Sequence, residues 1–365
     1  MIQWRAGVVV EIRARWAGAV EYAAELASGE TVRALGYLDV VGELPLGARV
    51  LLNTTALERG LGTGGSAIVV AAPDHLPEPV ADVGAVRGHL VKARYTPAQT
   101  MVLGVDEQDS IHHAALEDAD DLTGLPVVVA DLHSALPAVV AGIRDADPSL
   151  RVAYVMTDGG ALPMAYSRTV AGLREAGWLA AAITVGQAFG GDLEAVNVHT
   201  GLLAARHVVG ADIAVVAQGP GNLGTGTRWG FSGTSAGEAV NAAATLRGRP
   251  VASLRLSEAD QRERHRGLSH HSRTAYGRVA LVAADVPVPT LPGDFGATIL
   301  RQARELCERS AGRLRLHEVG TSGLDEALST SPVRLSTMGR GYDDDRASFL
   351  GAAVAGRFAA RLIAR

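Results

Sequence analysis

Short apolar runs separated by turn residues dominate the first 72 positions of the chain. Val8-Val9-Val10, Val20-Glu21-Tyr22-Ala23, Thr31 to Val41, Arg49 to Thr55 and Ala67 to Ala71 have the length and composition of strands, and Gly29, Gly42-Glu43 and Gly47 punctuate them. Short strands at close spacing predict a small barrel or curled sheet. Pro73 to Pro79 contains three prolines and reads as a linker. Between Gly88 and Thr123 the pattern weakens. Leu90 to Tyr95 and Thr100 to Val105 predict two further strands, and His112 to Asp121 a short helix or loop.

From Leu125 the period changes. Val127 to Ala130, Val152 to Met156, Ala180 to Val185, Ile213 to Ala217 and Val251 to Leu256 are continuous apolar runs. Helical patterns alternate with them. One starts at Ser134, an N-cap candidate, and puts Leu136, Val139, Val140 and Ile143 on one face; others run from Pro163 to Gly177, up to His207, and over Ala236 to Leu246. Arg278 to Ala284, Leu314 to Val319 and Val333 to Met338 read as strands, and Ala297 to Ser310 and Leu324 to Leu328 as helices. A last helix is predicted over Asp344 to Arg365, with Asp343 as its cap.

Apolar strands alternating with amphipathic helices predict a sheet covered on both faces. The expected class is therefore α/β: a mostly parallel, doubly wound sheet over 80–365, preceded by a small β-barrel-like domain over 1–72. Right-handed crossovers bring all post-strand loops to one rim. That rim collects Asp131, His133, Asp158, Asp192 and the loop beginning at Gly219.

Composition narrows the function classes. Of 365 residues only Cys307 is a cysteine, so no intramolecular disulfide and no cysteine zinc cluster can form. The net charge is -5, Lys92 is the only lysine, and no basic tract stands out. No nucleic-acid partner is expected. The N-terminus has no apolar signal core, and no apolar run reaches the roughly 18 residues of a membrane span, so no membrane partner is expected and the cytoplasm is the expected compartment.

The richest segment chemically runs from Gly219 to Ser235. Gly219, Gly221, Gly224 and Gly226 permit close backbone approach, and Asn222, Thr225, Thr227, Ser232 and Ser235 add polar groups. Such a loop after a strand is a candidate anion nest. It carries neither a Walker lysine nor a dinucleotide fingerprint on the first strand. The second segment is Gly267-Leu268-Ser269-His270-His271-Ser272-Arg273-Thr274, where one histidine is a candidate general acid or base, or either a candidate metal ligand. Asp131 and Asp158 are candidates to orient a histidine, or, with His133, to hold a divalent metal. Asp131-Leu132-His133 resembles the opening of the metallophosphoesterase signature, but the rest of that signature is missing. Asp192 and Glu194 read as local charges, and Gly60 to Gly65 as a hairpin loop. Asp343, Asp344 and Asp345 read as helix-start charges. Gly351, Ala352, Ala355 and Gly356 form a small-residue stripe that suits the core or a homodimer seam.

The order of several segments is similar to the uncharacterised bacterial domain-of-unknown-function family numbered 3866. The segments are Leu52-Asn53-Thr54-Thr55-Ala56 with Leu61-Gly62-Thr63-Gly64-Gly65, Arg94-Tyr95-Thr96-Pro97, the Gly219 loop through Gly237-Glu238, and Ser269-His270-His271-Ser272. The resemblance implies no activity and assigns no catalytic residue. The functional expectation rests on the residues alone: a hydrolase or transferase acting on a small anionic or phosphorylated metabolite at the rim. The alternative is a non-catalytic nucleotide or sugar sensor.

Overall fold

The computed structural model describes residues 1–61, 64–78 and 87–363. Its first unit is a closed barrel of β1 (Trp4–Trp16), β2 (Ala19–Leu26), β3 (Thr31–Tyr37), β4 (Arg49–Asn53) and β5 (Ala67–Ala71), in the order β1-β2-β3-β5-β4. Strand β1 pairs with both β2 and β4, and register shifts after Val9 and Ile12 give it the curvature that closure needs. Tyr22, Val9, Leu52 and Val69 fill the interior. This is a five-stranded Greek-key connectivity. Gly62, Thr63 and the end of the proline-rich stretch lie outside the described residues.

A short hairpin of β6 (Leu90–Lys92) and β7 (Thr100–Val102) follows. Lys92 is buried, and its Nζ donates to Thr184 O at 3.0 Å, Ala188 O at 2.8 Å and Glu194 Oε2 at 2.8 Å, tying the hairpin to the main sheet.

That sheet has eight strands, all parallel where paired. They are β8 (Pro126–Val129), β9 (Val152–Thr157), β10 (Ala181–Thr184), β11 (Leu193–Glu194), β12 (Ile213–Gln218), β13 (Arg249–Ala252), and, after a small hairpin of β14 (Leu256–Ser257) and β15 (Gly267–Leu268), β16 (Ala284–Pro289) and β17 (Leu314–Val319). Their order is β11-β10-β9-β12-β8-β13-β16-β17. Residues 136–146, 168–175, 324–329 and 346–363 form helices on one face; 198–207, 235–245 and 293–308 form helices on the other. The chain leaves β8 toward β9 and leaves β13 the other way, toward β16. Their C-terminal ends are therefore the switch point, where such sheets open a crevice.

Four local expectations need correction. The strand expected at Arg278 to Ala284 is a π-type turn, Ala275–Val279, and the true strand is Ala284–Pro289. Its prolines argue against a strand on sequence grounds, yet it pairs with β17 from Ala284 to Pro289 and with β13 only at Val251–Asp285. Of Val333 to Met338 only Ser336–Thr337 is extended, paired with Arg340–Gly341. Ser134 caps no helix; its hydroxyl meets Thr337 Oγ1 at 3.0 Å, and the α-helix begins at Leu136. The last helix is Arg346–Ile363, and neither Asp343 nor Asp344 caps it. Asp345 instead turns back, accepting from Ser257 Oγ at 2.6 Å and Glu258 N at 3.0 Å. Among the described residues no helix is long and apolar enough to cross a membrane.

The small-residue stripe of the last helix faces inward, so it offers no dimer seam. It lies against the helix Leu136–Ala146 at backbone contact. A Cβ at Gly142 would sit 1.9 Å from Ala353 O, and one at Gly356 would sit 1.9 Å from Val139 O. Arg357 then clamps the crossing, through Asp145 Oδ2 at 2.8 Å and the carbonyls of Gly320 and Ser322. Helix propensity alone predicts that Gly356→Ala stabilises the protein by about 0.5–1 kcal/mol. The packing reverses the sign: overpacking costs about 1–3 kcal/mol or more. Urea denaturation of the G356A protein, with a lower midpoint than wild type, is the expected result.

Candidate functional site

Two residues beyond β8 the chain reaches Asp131, which is 3% exposed. Beyond β13 it reaches Arg255, and beyond β12 the Gly219 loop. Tyr276, in the π-type turn, pins the switch point by donating to Val129 O at 2.7 Å and lying 3.1 Å from Ser253 O. The turn continues the short helix His270–Thr274, so Tyr276 also fixes where His270 and His271 stand. Ser269 caps that helix, accepting from His271 N at 3.2 Å, and its hydroxyl also meets His265 Nδ1 at 2.8 Å.

The result is a cluster of three histidines. Ring centroids of His265, His270 and His271 lie 4.5–4.9 Å apart. The segment carrying His265 is stapled from behind. Asp260 accepts from Arg262 at 2.7 Å and from Arg340 at 3.3 Å, and Arg340 reaches Asp345 at 3.1 Å. His271 Nδ1 lies 3.0 Å from Arg255 Nη1 and 3.4 Å from Asp131 Oδ2, and Phe231 stacks on its ring at 3.7 Å. Three buried atoms at this rim have no hydrogen-bond partner among the described residues, Asp131 Oδ2, His270 Nε2 and Gln218 Oε1. Burial, reinforced by the charges of Arg255 and Arg262, lowers the His265 pKa to about 3. Burial and its histidine and arginine neighbours lower that of His270 to about 4. Both rings are neutral at pH 7.

The cluster separates two cavities. The larger, about 900 Å³, lies between the sheet rim and the barrel. Glu21, Arg33 and Leu35 of β2 and β3 form its roof, and Gly219, Gly221, Asn222, His265 and His271 line its floor. The barrel is held over it by Trp16, whose Nε1 donates to Ala165 O at 2.6 Å, and by Arg168, which lies 4.1 Å from the Trp16 ring centre and 2.9 Å from Glu21. The smaller cavity, about 650 Å³, is lined by Arg228, Arg264, Arg273, Arg278 and Arg309 together with His270, and by no carboxylate. Gly226 and Arg264 line both.

The sequence-predicted residues divide. The Gly219 loop and His271 share the large cavity, with Asp131 buried beside His271. Gly219, Gly221, Asn222, Gly224 and Gly226 line it. Thr225, Thr227, Ser232 and Ser235 do not; their hydroxyls serve the loop's own turns. Gly219 is demanded by packing, since a Cβ there would sit 2.4 Å from Ala161 O, whereas Gly221 (φ +94) faces open space. Asp158 lies away from the cavity, accepting from Gln187 N at 2.9 Å. His133 does line it, but both its nitrogens are taken, Nε2 by Ser167 Oγ at 2.7 Å and Nδ1 by Tyr154 OH at 3.1 Å. The expected metal set of Asp131, His133 and Asp158 is therefore not assembled. Among the described residues, the set whose ligand atoms converge is His265, His270 and His271.

Sequence reasoning passed over His265, Arg255, Phe231 and Ser167. One signal was legible: Arg262, Arg264, His265 and Arg266 immediately precede the histidine pair. Arg255 and Phe231 come together with it only through the fold.

A model of the family of proteins of unknown function DUF3866 matches residues 33–356, and the chain belongs to that family. No curated protein and no solved structure matches it.

Burial lowers the pKa of His133 from 6.5 to about 4. Between those values the unfolded chain takes up a proton that the folded chain refuses, so stability falls as pH drops from 6.5 toward 4. The contribution from this residue is up to about 3 kcal/mol. Urea titrations across that range are expected to show a shallower pH slope for His133→Gln than for wild type; equal slopes would refute it.

Proposed function

We propose that this protein is an enzyme that hydrolyses, or transfers a group from, a small phosphorylated metabolite. The observation that carries the reading is the junction of the two cavities: a polar reacting centre, His265, His270, His271 and Asp131, adjoins a cavity walled by five arginines. Guanidinium forks match phosphate oxygens in geometry and keep their charge at every physiological pH. The chain as a whole is acidic, so their concentration here is a local arrangement. Only Arg273 among them has a carboxylate nearby, Glu305 at 3.9 Å.

In this reading the phosphate sits among Arg264, Arg273 and Arg309, and the remainder of the metabolite extends past Gly226 into the cavity under the barrel. A water, or an acceptor hydroxyl, attacks phosphorus at the histidine cluster. Its proton passes to the cluster as the new P–O bond forms, and the bond to the leaving oxygen breaks. Arg255 holds His271 in line through Nδ1, with Asp131 Oδ2 3.4 Å from the same nitrogen. Arg33 and Glu21 of the barrel close the cavity against bulk water. We place the activity in a reducing cytoplasm, where the buried Cys307 stays a thiol.

Removing one charge-assisted contact to a bound anion costs about 1.5–3 kcal/mol, or roughly 10–100-fold in affinity. Turnover of a panel of nucleotides and sugar phosphates, read as phosphate release or product formation, tests the reading. Arg309→Ala is expected to raise KM by that factor with a modest change in kcat, and His271→Ala to lower kcat. A phosphorylated compound that binds in the arginine cavity but is never altered would instead support a sensor.

A further inference from the structure

We propose that His265, His270 and His271 hold a divalent transition metal, with Asp131 as the outer partner that orients His271 and a phosphate oxygen or water in the fourth position. The proposal gives a specific form to the reacting centre above. Its metal arm stands without that reading, and only its phosphate arm rests on it.

The first support is the donor set. The three rings offer ligand atoms that all lie within 4.8 Å of one another. Tetrahedral ligands at about 2.0–2.1 Å from a metal stand about 3.3 Å apart, so a small inward movement of the rings completes the site. Three histidines with one open position is a catalytic ligand set for zinc.

The second support is what the other nitrogens do. Nδ1 of His265 is occupied by Ser269 Oγ, and Nδ1 of His271 lies against Arg255 and Asp131. Nε2 of His270 is buried and has no hydrogen-bond partner among the described residues. Leaving a buried ring nitrogen without a partner is costly, and a metal would satisfy it. His271 Nδ1 accepts from Arg255 Nη1 in the structure, so ligation through Nε2 requires Nδ1 to exchange Arg255 for Asp131 Oδ2, which is unpartnered and 3.4 Å away. A carboxylate behind a ligating histidine is the usual outer shell of such metals.

The third consideration is charge. Arg255 and Arg264 flank the cluster, and Asp131 offsets only one of them. A dication placed there is disfavoured unless an anion accompanies it. The arginine cavity, which shares His270 with the cluster, is where that anion would sit. Metal and phosphate therefore bind cooperatively: each supplies the charge that the other lacks.

Cobalt(II) titrated into the chelator-treated full-length protein tests this, followed by calorimetry and by the visible bands of four-coordinate cobalt. One equivalent with tetrahedral bands is expected. His265→Ala and His270→Ala should each abolish the bands, and Asp131→Asn should weaken affinity by roughly 10–100-fold. His207→Gln, exposed and remote, serves as the control and should change nothing. Far-ultraviolet dichroism and thermal melting show that each variant is folded. Inorganic phosphate should tighten cobalt binding at least several-fold in wild type and not in Arg273→Ala/Arg309→Ala. Absence of binding below millimolar cobalt, or unchanged bands in folded His270→Ala, overturns the metal site. Metal bound without any phosphate effect overturns the cooperativity. Metal and phosphate bound together with no turnover of any metabolite leaves the metal site standing and sinks the enzymatic reading instead.

Discussion

A parallel sheet cannot leave either face in water, because its strands are apolar along their whole length. Here that requirement is met by helices on both faces, and it controls everything functional. It forces each strand to end at the same rim, and it splits the chain's direction of travel between β8 and β13. The gap that opens there receives Asp131 from one strand and Arg255 from the other. The tightest packing, the backbone contact of Gly142 and Gly356, lies on the helices behind this gap. A rigid rear wall and an open rim are two outcomes of one burial problem.

Two buried aspartates at the sheet show how a fully paired carboxylate differs from a partly unpaired one. Asp285 is fully buried, and its oxygens take Arg249 at 2.8 Å, Arg315 at 2.9 Å and His317 at 2.8 Å. Those hydrogen bonds outweigh the upward push of burial and hold its pKa below the ordinary value. Both of its oxygens are engaged. Asp131, at the other end of the strands, keeps one oxygen unbonded beside an imidazole. Buried polar groups are nearly always satisfied, so the unpaired oxygen of Asp131 at the switch point is an exception.

The period of apolar residues was enough to read the barrel, the main strands and the inward-facing helices, because burial is what that period records. The Gly219 loop was legible as special for a partly mistaken reason. Four of its polar residues hold its own turns, and one contribution to the site is Phe231, which stacks on His271. Asp158 was illegible as a turn-forming side chain because its partner, Gln187 N, comes from a different strand's loop. His265 escaped because its convergence with His270 depends on a staple from Asp260 to Arg340, eighty residues apart in sequence. Strand periodicity carries no information about such contacts. The DUF3866 resemblance, in turn, located the segments without saying what they do.

Lys92 has one more consequence. It is the chain's only lysine, and its amine is enclosed by Glu194 and two carbonyls. The folded surface thus presents guanidinium groups and no side-chain amine. Acylation, methylation or conjugation at lysine has no handle on the native protein, so regulation by those routes is closed to it. Any amine-directed reagent that does reach Lys92 reports a molecule whose hairpin has come away from the sheet edge. The protein carries a single internal reporter of its own local unfolding.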